Sequence, residues 1–364
     1  MHKRLLSLDV LRGLDMILLT AVGPLVWSAQ ASWSCFPDGF AAQFEHGWIG
    51  FTLWDLVMPL FIFMCGAAIP LALEKRLADG KGAYWRHVLG RVAMLWALGG
   101  VLDGGWLAFD PLEFSPFSNT LQAIAVGYLA VAATMTFRSR VLDVVVPVAL
   151  AVGYSALLAF GGDYTEFGNF AFKVDHAVFG AILPSASTVL AAPSHYTWLL
   201  TSAMFAVMTF AGYHATRILR SEGSPRDRLV RLAGYGAILL ALGFFVEIRI
   251  PCIKPIFTLS FVLEATGWCA LALAALYLVH DVLGFSRGLA PVLLFGRAAL
   301  TAYVVYEFFF WSVLKAGAHR FGDGLVALLP ESAADFVLTL ISVAELVVIV
   351  RFWTLLRARS RSAS

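Results

Sequence analysis

The segment FEHGWIGFTLWDLVMPLFIFMCG, residues 44–66, puts a histidine at the mouth of an apolar stretch and an aspartate inside it. Imidazole is the side chain best suited to take a proton near neutral pH. A carboxylate within reach fixes its tautomer and stabilises the cation formed on proton uptake. His46 and Asp55 are therefore candidates for a catalytic dyad, the alternative for His46 being an interfacial residue that snorkels to the membrane surface. Among the eight histidines, only His46 precedes an acid-bearing apolar stretch and is flanked by glycine and tryptophan. On a continuous helix the two would be separated by a rise of about 13 Å, so they meet only if the chain before the helix folds back over its mouth.

A second constellation lies at the chain start, where Asp9, Arg12 and Asp15 stand three residues apart and share one helical face. Two readings stay open. The three form a buried ion network that fixes helix packing, or Arg12 keeps an edge of its guanidinium for an anion, whose paired oxygens match the fork of N–H donors. Arg4, Lys75, Arg76, Lys81, Arg86 and Arg91 gather on the same side of the chain. They are explained either by the cation bias of cytoplasmic loops or by a docking surface for a phosphate-rich cytosolic ligand.

Such groups need elements to hold them, and the composition says which. Of 364 residues 60% are hydrophobic and 14% charged, and the mean hydropathy is +0.80, far from the balance of a soluble domain. Apolar windows of roughly 20 residues match the length a helix needs to cross hydrocarbon, and none alternates as an outer-membrane strand does. The chain is thus expected to be all-α, a polytopic membrane helix bundle of about ten transmembrane helices. The spans fall near residues 9–29, 50–74, 91–109, 119–137, 141–160, 197–218, 232–248, 256–280, 289–313 and 333–355. The Lys and Arg bias of the loops puts both termini in the cytoplasm. Residues 1–364 read as a single integral-membrane domain whose one long connection, 161–196, extends outward. The basic start MHKR runs into a motif-bearing helix without a small-residue cleavage site, so the first span is expected to stay as an anchor. The net charge of +2 comes with no basic tract suited to nucleic acid.

Ionisable groups inside spans usually face a bundle interior and mark a pathway or site. Beyond those named, the later spans carry Asp103, Glu247, Glu264, Arg297, Glu307 and Glu345, with polar Gln122, and Arg297 is expected to need an acid partner. Cys35, Cys65, Cys252 and Cys269 form no metal or redox motif, and whether Cys35 and Cys252 pair stays open. No metal is expected.

The motifs RLLSLDVLRGLDMILL and HGWIGFTLWDLVMPLFIFMCG together resemble the transmembrane acyltransferases related to heparan-α-glucosaminide N-acetyltransferase and its bacterial homologues. FSNTLQAIAVGYL, VDHAVFG, HYTWLLTSAMF, RIPCIKPIFTLSFVLEATGW and FGRAALTAY follow in the order of that family, so the likeness covers nearly the whole chain. The resemblance implies transfer from cytosolic acetyl-CoA, a co-substrate, to an amino sugar or other glycan on the periplasmic side. It makes His46 the base or acyl acceptor and Asp55 the acid of the next helix. It places Arg4, Ser7, Asp9, Arg12 and Gly13 at the cytosolic end of the coenzyme. Lys75, Arg76 and Arg86 join them as the docking surface for its phosphates.

On the outer side Trp48, Asn169, Asp175 and Lys254 are candidates for the acceptor, although turns and interface anchors explain the loop residues equally, and Lys254 equally pairs with Glu247. The chain departs from the family pattern in three places. His46 stands two residues before Trp48, where many relatives have three; Gly23 stands near the place of one asparagine; and Ala298 replaces another. The expected home is a bacterial inner membrane, as monomer or homodimer. Alternatives are a permease for a sugar or organic acid, an O-acetyltransferase of an envelope polysaccharide, and a scaffold that has lost catalysis.

Overall fold

The computed structural model describes residues 5–107, 114–182, 196–317, 320, 324 and 327–362. All regular structure among them is helical. The main elements are α1 (Leu6–Ser32), α2 (Leu53–Asp79), α3 (Lys81–Asp103), α4 (Thr120–Met135), α5 (Arg140–Gly161) and α6 (Phe170–Ile182). They continue as α7 (Ser202–Leu219), α8 (Pro225–Glu247), α9 (Leu259–Val282), α10 (Ala290–Arg297), α11 (Ala299–Phe310) and α12 (Glu331–Ser362). Among the described residues six helices are long and apolar enough to cross a membrane: α1, α2, α5, α8, α9 and the stretch Ala333–Arg357 of α12. There are seven if α10 and α11 count as one span. These helices make the chain an integral membrane protein.

The segment expected as one straight span at 289–313 is instead broken, with α10 and α11 meeting at 80°. Ala298 sits at the bend outside helical geometry, φ −116° and ψ 23°. Helical turns also widen to π geometry at Leu18–Val22, Tyr277–Val282 and Tyr306–Leu314, a local form often found near functional sites.

Contacts group into two compact units. The first comprises residues up to His46, Thr52–Val57 and everything from Ala275 onward. Its centre is the crossing of α1 with α10, where a Cβ on Gly13 would lie 2.0 Å from the Val292 carbonyl oxygen and one on Gly296 2.1 Å from that of Asp9. Backbones touch there, which is how helices associate where lipid removes the hydrophobic drive. Both oxygens of Asp281 accept from the first turn of α1, the Leu6 and Ser7 amides at 3.0 Å each. Asp335 on α12 accepts from Ser28 at 2.6 Å and pairs with Lys315 at 2.9 Å.

The second unit holds Gly47–Phe51 and Met58–Ala274. Its helices α2 and α7 also meet backbone to backbone, a Cβ on Gly66 lying 1.9 Å from the Thr209 carbonyl oxygen and one on Gly212 1.8 Å from that of Phe63. Around this crossing Ile69, Leu73, Tyr84, Val88, Tyr128 and Phe210 form a buried cluster. The tyrosine hydroxyl of Tyr84 donates to Ala132 O at 2.7 Å, so its polar end is satisfied within the apolar layer. The connection RIPCIKPIFT is equally interior: Cys252, Ile253, Ile256 and Phe257 are fully buried. Thr258 closes it on itself, accepting from Ile253 N at 2.9 Å and donating to Pro251 O at 2.8 Å.

Candidate active site

Aromatic packing decides where His46 goes. Trp27, late on α1, donates its indole N–H to Phe44 O at 3.1 Å and meets Trp54 edge to face at 4.9 Å. Trp54 lies over Gly23, where a Cβ would stand 2.4 Å from its ring, and Phe44 joins from 5.8 Å. This cluster folds residues 40–46 back across the start of α2. Thr52 Oγ1 lies 3.1 Å from Glu45 O, and Gln43 accepts from Leu53 N at 3.3 Å. The fold-back that the spacing demanded is therefore made by Trp27, Phe44 and Trp54.

His46 Nδ1 and Asp55 Oδ1 stand 2.8 Å apart. The other carboxylate oxygen of Asp55 accepts from the Thr52 amide and from the Thr52 hydroxyl, both at 2.9 Å. An ionised carboxylate only accepts, so Nδ1 carries the proton, and in the neutral ring Nε2 presents its lone pair. The Asp55 side chain is 3% exposed against 44% for His46: the orienting group is dry and the base is open. Nε2 has no hydrogen-bond partner among the described residues. This is the arrangement that makes imidazole a general base, with one nitrogen held and the other offered.

The acceptor-side candidates lie in the second unit, each already bonded into structure. Trp48, half-buried, donates its indole N–H to Tyr164 O at 2.9 Å. The Asn169 amide donates to Thr165 O and Glu166 O, both at 2.9 Å, while its oxygen caps α6 through Phe172 N at 2.7 Å. Asp175 accepts from the Trp198 and Leu199 amides, at 2.5 and 3.0 Å, and so caps the turn leading into α7. Burial pushes its carboxyl up to about 6 against the pull of those two amides. Lys254 is 5% exposed within the interior connection. Asp163, by contrast, is exposed, and hydrogen bonds from Thr165 hold its carboxyl below the usual range.

Of the first constellation, Arg4 lies outside the described residues. Ser7 is fully buried, its hydroxyl without a partner among the described residues. Arg12 pairs with Asp9 at 3.7 Å, whereas Asp15, 1% exposed, has no hydrogen-bond partner at either oxygen among the described residues. Asp15 thus stands apart from the Arg12–Asp9 ion pair. Arg297 also differs from expectation: it is exposed, with no acid partner among the described residues. The bend at Ala298 turns it to a cavity of about 720 Å³ lined also by Ser286, Trp353, Thr354 and Arg357. The Arg357 guanidinium lies 5.5 Å from the centre of the Trp353 ring.

In the second unit Lys75, Arg76 and Arg86 are exposed.

Comparison with known proteins gives two matches. A domain of unknown function, DUF5009, matches residues 4–99, the stretch holding Arg12, His46 and Asp55. The human heparan-alpha-glucosaminide N-acetyltransferase is 25% identical over 366 aligned residues, covering 84% of this chain. The chain is similar to an N-acetyltransferase. It spans about half, 53%, of that relative's length.

Several participants were not read from the sequence. Thr52 carries a faint signal, a hydroxyl three residues before an acid at a helix start. Arg297, Trp353 and Arg357 come together where α10 and α12 line one cavity, which no local pattern announces. Gln122, counted as a polar group in a span, is the N3 residue of a capping box with Asn119 at the head of α4. None of the four cysteines is in a disulfide, Cys35 being exposed and Cys252 buried.

Proposed function

We propose that this chain is a transmembrane acetyltransferase that uses acetyl-CoA from the cytosol to acetylate an amino sugar or other glycan on the periplasmic side of a bacterial inner membrane. The observation that carries the reading is the His46–Asp55 pair, with Nδ1 bound to a buried carboxylate and Nε2 open. The similarity to an N-acetyltransferase supports the reaction class. In the proposed step the acceptor nitrogen attacks the thioester carbonyl. The C–N bond forms and C–S breaks; Nε2 takes the amine proton and passes it to the departing thiolate, leaving an amide and free coenzyme. In the covalent variant Nε2 itself carries the acetyl group before the acceptor arrives.

Arg12 and Trp27 stand on one helix about 22 Å apart along its axis, so α1 separates the two tasks. The coenzyme phosphates are assigned to Arg12 and to the Arg297–Arg357 cavity, whose volume suits a small ligand. Trp353 is assigned its adenine. Arg4, Lys75, Arg76 and Arg86 add to the attraction, while Trp48, Asn169, Asp175 and Lys254 shape the acceptor side. With α10 and α11 as one span and α3, α4 and α7 also crossing, the chain would have ten spans, and the Lys and Arg bias of the loops would place both termini in the cytoplasm. Reconstituted protein given labelled acetyl-CoA and a panel of amino sugars is expected to release labelled amide, and no transfer to any sugar or polysaccharide would remove the reading.

The broken α10–α11 span, with Arg297 exposed at the bend, favours a second reading, since discontinuous helices mark many carriers. Uptake of a sugar or organic acid into proteoliposomes without acyl donor would select it.

A further inference from the structure

Glu247 closes α8, Cys252 sits in the interior connection, and Glu264 lies in the second turn of α9. A carboxylate oxygen of each glutamate and the Cys252 sulfur lie within 4.8 Å of one another. The Cys252 sulfur is 4.0 Å from Glu264 Oε2. Glu264 is 2% exposed, and its Oε1 has no hydrogen-bond partner among the described residues. A buried polar oxygen left so costs about 1–3 kcal/mol, more if charged. Two carboxylates and a thiol in this space repel one another once ionised, and a cation between them would remove that repulsion.

The cluster is also held in place. A Cβ on Gly243 would stand 2.5 Å from Glu264 Cγ, so α8 presses on the Glu264 side chain. The Cys252 carbonyl accepts from Gly50 N at 2.9 Å, and Thr258 ties down the neighbouring backbone at Ile253 and Pro251. Supporting bonds of this kind fix ligand geometry.

We propose that Glu247, Cys252 and Glu264 bind a divalent metal ion of the zinc class. One thiolate with two carboxylates suits Zn²⁺, whereas Mg²⁺ and Ca²⁺ take oxygen alone. Bonds of about 2.0–2.3 Å in a tetrahedron put ligand atoms roughly 3.5 Å apart. Glu247, the exposed member, closes the remaining distance by rotating its side chain. The fourth position goes to water on its side. Binding releases the thiol proton to solvent, and the ion fastens the end of α8 to the start of α9 across the connection that carries Lys254. The site stands apart from the acetyl-transfer reading.

The test titrates metal-stripped, purified full-length protein with Co²⁺ and follows thiolate-to-cobalt absorption in the near ultraviolet, then displaces cobalt with zinc. One equivalent is expected. Cys252→Ser is expected to abolish the band. Glu264→Gln and Glu247→Gln should each weaken binding about tenfold or more, and Cys35→Ser should leave it unchanged. Glu247→Gln, at the exposed end, keeps the test open if a buried variant fails to fold. No thiolate band in the wild-type protein, a band surviving Cys252→Ser, or unchanged affinity in Glu247→Gln overturns the site.

Discussion

His46 Nδ1 lies 2.8 Å from Asp55 Oδ1, and the carboxylate that orients the ring is held from its other oxygen by Thr52. The ring therefore has one orientation and one tautomer. Asp55→Asn keeps the shape but removes the charge that stabilises the imidazolium. It should lower the turnover of acetyl transfer by two to four orders of magnitude with little change in KM for acetyl-CoA. Thr52→Ala should cost less, about tenfold, since it removes one charge-assisted bond and leaves the Thr52 amide in place. Steady-state kinetics on both variants check the order.

Close helix crossings make a second expectation. Gly13→Ala and Gly212→Ala drive a methyl into a carbonyl, at 2.0 and 1.8 Å, and should each destabilise by about 1–3 kcal/mol or more. Gly153→Ala on α5 meets nothing within 4 Å and should be neutral or mildly stabilising, because alanine orders a helix at less entropic cost. Thermal unfolding in detergent separates the two classes.

Asp175 gives a pH dependence with a definite sign. Its carboxyl titrates at about 6 in the folded protein, raised by burial from 3.8. Between roughly pH 4 and 6 the folded state holds the proton and the unfolded state does not, so stability falls as pH rises across that window. The shift amounts to on the order of 3 kcal/mol. Asp175→Asn should flatten this slope, and melting temperatures at pH 4.5 and 7 measure it.

The cavity at Arg297 and Arg357 predicts where donor affinity resides. Arg297→Ala and Arg357→Ala should each weaken acetyl-CoA binding roughly ten- to a hundredfold, the worth of one charge-assisted contact. Arg12→Ala should weaken it too, by a smaller factor because Arg12 is already paired with Asp9. Equilibrium binding of acetyl-CoA is the readout, and unchanged affinity in all three removes the cations of α1, α10 and α12 from the donor site.

Residue type and hydropathy were enough to read the helical class, the longest apolar spans and the His46–Asp55 candidate pair. They reported less about which polar groups are spoken for. Asn169, Asp175 and Gln122 are polar residues near helix starts, and each satisfies backbone amides there, a role that depends on φ and ψ rather than on composition. Gly23 marked a missing asparagine in the linear pattern; in three dimensions it admits the Trp54 ring. Arg297 seemed to require an acid because a straight span would have buried it, and the bend at Ala298 removes that premise. Glu247, Cys252 and Glu264 have no metal-ligand spacing along the chain, since the turn between α8 and α9 is what gathers them.

The account rests most heavily on His46 as the group that takes the acceptor's proton. Acetyl transfer by His46→Ala, measured at equal folded yield and again with added imidazole, tests that directly. The expected result is a loss of about 10²- to 10⁴-fold, partly restored by imidazole. Undiminished transfer in His46→Ala would contradict it.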